Sequence, residues 1–344
     1  MEDYKLMYDL QLFADPNPNT QTTGTQTLSD ENKEFFRTAL IRRAKPLLVH
    51  AQFGDKFSIP KNGGKSVEFR QLSPFPKALT PLDEGVTPDG VPLEVTKINK
   101  TLEEFGAYTT VSDILDMTAA DPIIVETTEL HADSMGLTLD TIVRNELNTV
   151  TNVIYAANGS GVKPSQRNGL TAAHKLTRET VAEAVAYLKK VNAPKIDGSY
   201  IGIIHPSVEF DLITSQGWID VQQYSNATQI YEGEIGKLYG VRFVVTSEAQ
   251  VFKGTGNAWD QKCAEGVAAY SCLFIGKGAY KVIDVAGAGA QIIVKNRGSA
   301  GSADPLDQRS TIGWKIPMFG AKVVIPEYIV RVECGSSFSA IDAA

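Results

Sequence analysis

The sequence PIIVETTELHADSMGLTLDTIVRNELNTVTNVIYAAN, residues 122–158, decides the fold of this chain. Its apolar residues recur at gaps that are mostly three, four or their sums, which is the period of a helix with one buried face. They are Ile123, Leu130, Met135, Leu139, Ile142, Leu147, Val150 and Ile154. Asp121-Pro122 is a helix start signal, and Asn158-Gly159-Ser160-Gly161 is a stop signal. The pattern predicts a single helix over residues 122–158, about 50 Å long.

A helix of this length exceeds what a compact domain usually needs, so it indicates either a structural spine or a coiled-coil arm. The gaps between the apolar residues are too irregular for a heptad repeat. Gly136 also lies in the middle of the helix, where glycine costs about 1 kcal/mol relative to alanine. The spine is therefore the favoured interpretation.

Composition and charge limit the class of protein. A chain of 344 residues with 43% hydrophobic and 21% charged residues is typical of a folded protein with one large domain or two to three lobes. Its net charge of −7 argues against a dedicated nucleic-acid binder, although it allows a protein that encloses nucleic acid. We expect no membrane span and no signal peptide, since no long apolar run is present.

The three cysteines, Cys263, Cys272 and Cys334, lack the spacing of metal or redox motifs. We therefore expect free thiols in a reducing compartment.

The first part of the chain reads as an arm followed by a helix. Residues 1 to about 28 are polar and rich in turn residues, with little to bury. A helical stripe then begins at Ser29 or Asp30 and is interrupted by Pro46.

Residues 58–110 predict an extended β-hairpin. Alternating strands, residues 65–72 and 93–101, flank a tip of about 20 residues that is rich in proline and glycine. A tip of this length is expected to serve a function or to pack on something. An isolated two-stranded ribbon is marginally stable in water, so we expect another chain to support it. A further extended segment, residues 105–111, leads into the long helix.

The rest of the chain predicts an α/β lobe and then antiparallel strands. Helices are predicted at 177–191 and 208–213, and buried strands at 200–204, 241–246 and 271–275. The later strands are predicted at 291–295, 311–317 and 322–333. Gly335-Ser336-Ser337 is predicted to be a tail.

Motifs for nucleotide binding are incomplete. Gly64-Lys65-Ser66 matches the end of a phosphate-binding loop, but position 59 is Ile where that motif needs its first glycine. It also precedes a strand instead of a helix, so it indicates a turn. Three glycine pairs lack the third glycine of a dinucleotide fingerprint and indicate flexible loops. These pairs are Gly254/Gly256, Gly276/Gly278 and Gly287/Gly289.

Candidate chemical residues are isolated. The histidines lie far apart and none is paired at metal-ligand spacing; they are His50, His131, His174 and His205. His205, before Pro206, is a candidate base at a strand end, but a turn or interface role is favoured. Asp83, Glu84 and Asp89 lie on the hairpin tip, where no walled pocket separates their pKa values. The sequence therefore predicts no catalytic residue, no cofactor-binding residue and no metal site.

The densest basic run lies on the first predicted helix and consists of Arg37, Arg42, Arg43 and Lys45. It lacks interleaved aromatic residues beyond those that the helix needs for burial, which argues against base stacking. A non-specific phosphate contact stays open.

The order of these parts resembles that of tailed-phage major capsid proteins with the HK97-like fold, and more closely the N4-type phage coat protein family. The resemblance covers about residues 28–335. The stretches that carry it are LSDENKEFF (28–36), AQFGD (51–55), LDEGVTPDG (82–90), DILD (113–116) and GWKIPMFGAKVV (313–324). MYDLQLFA (7–14) is also similar to the start of many phage structural proteins.

The resemblance implies an α+β fold with an N-terminal arm, an extended β-hairpin (the E-loop), a peripheral domain and an α/β axial domain. The spine helix 122–158 and an antiparallel sheet would form the peripheral domain. The implied boundaries are 1–50 for the arm and first helix, 51–110 for the hairpin, 111–165 with 289–344 for the peripheral domain, and 166–288 for the axial domain.

The resemblance also implies a structural protein of the virion, not an enzyme. It would assemble as hexamers and pentamers, in the cytoplasm of a host bacterium, into an icosahedral shell that encloses double-stranded DNA without sequence-specific binding. A separate scaffolding protein and a portal would be its partners, with decoration proteins as optional ones. The alternatives are an encapsulin-type cargo compartment and an α/β enzyme with a site near His205.

Overall fold

The structure is a computed structural model, and it describes residues 48–73, 75–81, 84–85, 87, 89–118, 123–215, 237–256, 262–286, 289–299 and 304–343. Its strands are β1 (Asp55–Ile59), β2 (Ser66–Leu72), β3 (Val95–Thr101), β4 (Glu103–Ser112), β5 (Val153–Tyr155), β6 (Tyr200–Ile204), β7 (Lys237–Leu238), β8 (Val241–Val245), β9 (Val251–Phe252), β10 (Ala269–Ile275), β11 (Tyr280–Val285), β12 (Gln291–Lys295), β13 (Arg309–Val323) and β14 (Ile329–Cys334). Its α-helices are α1 (Asp113–Thr118), α2 (Ile123–Leu147), α3 (Arg178–Lys190), α4 (Pro206–Ile213) and α5 (Ser339–Asp342).

The long helix α2 is shorter than predicted, because it ends at Leu147 and not at Asn158. The side chain of Asn148 donates to the carbonyl of Arg144 at 2.8 Å, and the hydroxyl of Thr149 donates to the carbonyl of Glu146 at 2.7 Å. Each of these carbonyls also accepts the backbone amide of the same residue, so the side chains add a second hydrogen bond to the last turn and cap the end of the helix. Residues 153–155, inside the predicted helix, form β5 instead. The predicted start at Asp121-Pro122 lies outside the described residues.

One face of α2 is buried against the first sheet, as the apolar pattern predicted for Met135, Leu139 and Leu147. Leu130 is an exception, because 66% of it is exposed. The stripe therefore begins to face the sheet only after the first two turns.

The first sheet is built around the long strand β13. β12 and β11 pair antiparallel with its two halves along one edge, and β4 pairs antiparallel along the other edge. β1 extends the sheet by parallel pairing with β11. The strands predicted at 105–111, 291–295 and 311–317 are confirmed within these elements.

The prediction of a single strand over residues 322–333 was wrong. Residues 322–323 end β13, a short 3₁₀ turn covers Pro326–Tyr328, and β14 then joins the second sheet. Pro326 has no amide hydrogen for a ladder bond, which accounts for the break.

The second sheet has the order β5-β14-β10-β6-β8-β7, with β9 paired to β10. The predicted buried strands at 200–204, 241–246 and 271–275 are confirmed as β6, β8 and β10, and the helices predicted at 177–191 and 208–213 as α3 and α4. β5 and β14 come from the segments predicted as peripheral, yet they pair within this sheet.

The two sheets share a core through strand β10. Tyr270, Cys272 and Phe274 point into a cluster with α3 and α4, while Leu273 and Ile275 point into a cluster with α2 and β13. Burial on both faces explains why β10 is apolar along nearly its whole length, without alternation. The result is the α+β architecture that the sequence predicted.

The predicted hairpin is present as the antiparallel pair β2–β3, in register from Ser66–Thr101 to Leu72–Val95. The first helix predicted from residue 29 lies outside the described residues.

Candidate assembly surfaces

The root of the hairpin is fixed to the body by a small apolar cluster. Val67 and Phe69 of β2 and Leu102 after β3 pack there with residues of β1, β11 and the segment after β13, namely Ile59, Ile283 and Val324. Phe57 meets Phe69 edge to face, with ring centroids 5.3 Å apart. The root is therefore held by its own subunit.

The hairpin tip, residues 73–94, differs from the root because the large apolar side chains that the structure describes there are exposed. Leu79 is 83% exposed and Phe75 is 61% exposed. Val91 and Leu93 are also exposed, as are the acidic residues Glu84 and Asp89, whereas Asp83 lies outside the described residues. Exposed apolar patches of this kind mark surfaces for protein contacts.

A second exposed apolar surface surrounds α1. Its members are Ile114, Leu115, Met117 and Leu306. The amide of Asp113 donates to the carbonyl of Gln308 at 2.9 Å, and Arg297 forms an ion pair with Asp116 at 2.7 Å. These contacts bring the loop before β13 next to α1.

The face of the first sheet that points away from α2 carries a shallow hollow of about 530 Å³. Gly106 and Gly313 lie among its lining residues, together with the exposed side chains of Tyr108 and Ile293. Gly313 must stay small, because a Cβ there would lie 2.7 Å from the carbonyl oxygen of Ala107. The hollow is a third candidate contact surface.

His50 ties the start of the described chain to the middle of α2. Its backbone amide donates to one oxygen of Asp140 at 2.7 Å, and its ring Nδ1 lies 2.6 Å from the other. The hydroxyl of Tyr280 donates to the carbonyl of His50. All three side chains are buried, so His50 is a structural anchor and has no metal partner among these contacts.

A buried charge network that the sequence reasoning missed lies on β14, close to the end of α2, where Arg331 also donates to the carbonyl of Asn148. Arg167 donates two hydrogen bonds to Glu333, and Arg331 lies 3.0 Å from the same carboxylate. Arg167 also stacks on Phe252, 3.5 Å from the ring centroid. The signal in the sequence was a pair of charged residues, 331 and 333, within a strand otherwise typical of a core.

The segment after β14 is not a tail, contrary to the prediction for Gly335-Ser336-Ser337. The amide and hydroxyl of Ser337 both donate to Asp211 of α4 at 2.8 Å, and Ser336 donates to the carbonyl of Ser207 at 2.8 Å. A Cβ at Gly335 would lie 2.3 Å from the carbonyl oxygen of Thr171, so glycine permits this close approach. We call residues 335–342 the C-terminal clasp.

His205, the candidate base, is used as a helix cap. Its ring Nδ1 accepts the amide of Ser207 at 3.2 Å, and burial lowers its pKa. The nearby carboxylate of Asp342 already accepts from the hydroxyls of Ser207 and Tyr270. These contacts join α4, β10 and the clasp. The surroundings of His205 are therefore structural.

The remaining motifs and candidate residues from the sequence each have a place in the fold or lie outside the described residues. Gly64 and Lys65 lie in the turn before β2, which begins at Ser66, and Gly64 has a φ of +89°. The ring of His174 accepts the amide of Thr171 at 3.0 Å, and burial lowers the pKa of His131 against the first sheet. The three cysteines are buried free thiols. The basic run at 37–45 lies outside the described residues.

Over the described ranges, no group of three or more His, Cys, Asp or Glu residues is arranged to hold a metal ion. None of the helices in that part of the chain combines the length and the apolar character that crossing a membrane requires.

The fold is similar to that of solved phage capsids. The cyanophage Pam1 capsid matches with a TM-score of 0.64 at 11% identity, over 80% of this chain and 86% of that one. The cyanophage P-SCSP1u capsid matches with a TM-score of 0.62 at 13% identity, over 82% and 86%. The mature capsid of bacteriophage PhiM1 matches with a TM-score of 0.57 at 13% identity, over 83% and 86%. This likeness shows the HK97-like capsid fold.

Comparison with curated proteins gave no match. The sequence model of a family described as "Phage capsid protein" matches residues 95–332, which is more than half of the chain. The matched stretch runs from the hairpin through α2 and both sheets to β14. Sequence and fold thus agree on a structural protein of the phage virion. The chain belongs to the phage capsid protein family.

Proposed function

We propose that this chain is the major capsid protein of a tailed bacteriophage. It assembles as hexamers and pentamers into an icosahedral shell that encloses double-stranded DNA. The observation that carries the proposal is the hairpin tip, where Phe75, Leu79, Val91 and Leu93 are exposed beyond a root that is firmly packed.

Symmetric assembly accounts for this contrast between root and tip. An isolated two-stranded ribbon is marginally stable, and closed symmetry presents the same complementary surface to every copy. The exposed surface around α1 and the hollow on the first sheet are the candidate receiving surfaces on a neighbour. The tip and these surfaces would then bury one another in the shell.

The regions of the chain take distinct positions in this proposal. Residues 1–50 form the arm and first helix, 51–110 the extended hairpin, 111–165 with 289–344 the peripheral domain, and 166–288 the axial domain near the local symmetry axis. Strands β5 and β14, which pair within the second sheet, make the link between the last two regions.

The proposed partners follow from the shell. A separate scaffolding protein and a portal act during assembly in the bacterial cytoplasm, and decoration proteins are optional. The net charge of −7 suits a wall that holds DNA without binding its sequence. We also propose that the chain is of the N4 type and has no enzymatic activity.

Electron microscopy of the purified protein, with and without a co-expressed scaffolding protein, tests the proposal. We expect closed particles with fivefold and sixfold capsomers when the scaffold is present. A stable monomer with an ordered hairpin and no particles under any condition would contradict it. Particles that contain a cargo enzyme in place of DNA would instead indicate an encapsulin-type compartment.

A further inference from the structure

Glu146 occupies an unusual position in the last turn of α2. An acidic residue there opposes the negative end of the helix dipole, which favours cations. Its carboxylate lies 3.2 Å from the ammonium of Lys100 on β3 and 2.9 Å from that of Lys322 on β13. Its side chain is only 12% exposed, so both pairs are partly shielded from solvent. One carboxylate thus joins the hairpin, the spine helix and the first sheet.

The junction between β3 and β4 lies beside this carboxylate and has the form of a pivot. Leu102, between the two strands, is fully buried in the root cluster. It fits over Gly320, where a Cβ would lie 2.9 Å from the side chain of Leu102 and 3.5 Å from that of Lys100. The pairing of β4 with β13 is also irregular between Ile316 and Phe319. The β4–β13 pairing is therefore irregular where the hairpin leaves the body.

An open cleft of about 790 Å³ lies beside the pivot. One wall is hairpin, with Gln71, Thr96 and Ile98. The opposite wall is body, with residues 149–151, after α2, and 322–328, which include Lys322. The hairpin is therefore packed at its root, and above the root there is open space along one side of the hairpin.

We propose that Glu146 is an ionic latch that sets the orientation of the hairpin over the spine helix. When the Lys100–Glu146 pair breaks, the hairpin rotates about Leu102 and changes the width of the cleft. The latch is a property of one subunit, so it can be tested without shells.

The geometry predicts the size of the movement. The seven residue steps from Leu102 back to Val95 span about 23 Å at 3.3 Å per step. A rotation of 10° at the pivot therefore moves the far end of β3 by about 4 Å. The competing explanation is that the apolar root cluster alone fixes the hairpin and the ion pairs merely neutralise two lysines.

Distances between two spin labels distinguish these explanations in the full-length unassembled subunit. The labels are placed at Leu72→Cys on the hairpin and Ser134→Cys on α2, both exposed positions, while the native cysteines are buried. Glu146→Gln and Lys100→Gln each remove the latch with little change of shape. Glu183→Gln is the matched control, because it removes the exposed Lys163–Glu183 pair far along the chain from the hairpin.

We expect Glu146→Gln and Lys100→Gln to shift or broaden the label distance by about 4 Å or more, and Glu183→Gln to leave it unchanged. Raising the salt from 0.05 to 1 M should move the native distance in the same direction. Native distances in both latch variants would overturn the proposal in favour of the root cluster. If Glu146→Gln fails to fold by circular dichroism, Lys100→Gln and the salt series decide the question.

Discussion

Arg167 and Glu333 are 166 residues apart in the chain, yet Arg167 donates two hydrogen bonds to Glu333, at 2.8 and 2.7 Å. The carboxylate of Glu333 is fully buried and also lies beside Arg331. Two cations therefore depend on one anion. This pair connects the loop before α3 to β14, and through β14 to both the second sheet and α2.

Removing this shared anion should strongly destabilise the subunit. Glu333→Gln leaves the buried guanidinium of Arg331 and the partly buried one of Arg167 without their counter-charge, and breaking a buried pair in this way costs about 3–5 kcal/mol. Denaturant unfolding of the isolated subunit measures the loss. Glu183→Gln, in an exposed pair, should cost less than about 1 kcal/mol. Equal losses in the two variants would show that the network contributes no more than a surface pair.

The spine helix offers a second test, because Leu147 and Leu130 differ in burial although both belong to its apolar pattern. Leu147 is fully buried and Leu130 is mostly exposed. Leu147→Asp should prevent folding, since an unpaired buried charge costs as much as a typical domain's stability. Leu130→Asp should change stability by no more than about 0.5 kcal/mol. Circular dichroism and thermal melting check both, and a folded Leu147→Asp variant would contradict the assigned core.

The C-terminal clasp should weaken in acid. Burial of Asp211 favours its neutral form, but hydrogen bonds from Lys175 and Ser337 outweigh this and lower its pKa. Its contribution to stability is therefore present above the unfolded pKa of about 3.9 and is lost as the pH falls through the lower folded value. Asp211→Asn should melt below the native protein at pH 6, and the gap should shrink below pH 4. A gap that stays constant would show that the carboxylate's charge does not hold the clasp.

Deleting residues 80–90 from the hairpin tip should impair assembly and leave the subunit folded. No described residue of 80–90 belongs to the root cluster, and all of those described are exposed. A matched variant replaces the same residues with a Gly/Ser linker of equal length, which restores reach but not the side chains. Electron microscopy scores assembly and thermal melting scores folding. Normal shells from both variants would refute an intersubunit role for residues 80–90, because Phe75, Leu79, Val91 and Leu93 remain in both.

Local patterns predicted most elements of the fold. The alternation in the hairpin, the helical stripe of α2 up to Leu147, and the buried runs of β6 and β10 all follow from short-range periodicity. The error at the end of α2 has a clear cause. Val150 and Ile154 continue the helical spacing, but β5 pairs with β14, whose paired residues lie 178 positions later in the chain. A pattern within one segment carries no information about such a partner.

The candidate surfaces were less predictable than the elements. The exposed tip was expected from its proline and glycine content, but Leu130 and the surface around α1 were not. The role of Glu333 depends on Arg167, and that of Asp211 depends on a segment that was expected to be a tail. In each case a polar residue is stabilised by a partner that only the folded chain brings near.

The anchor at His50 determines where mechanical load enters the subunit. Two hydrogen bonds join His50 to Asp140, which lies about 25 Å from the first residue of α2 and about 10 Å from its last. Tension along the chain before Leu48 would therefore act on the interior of the helix and not on its ends. A force applied there would bend α2 instead of separating it from the first sheet. Load from the first residues is thus shared between the middle of α2 and, through Tyr280, strand β11.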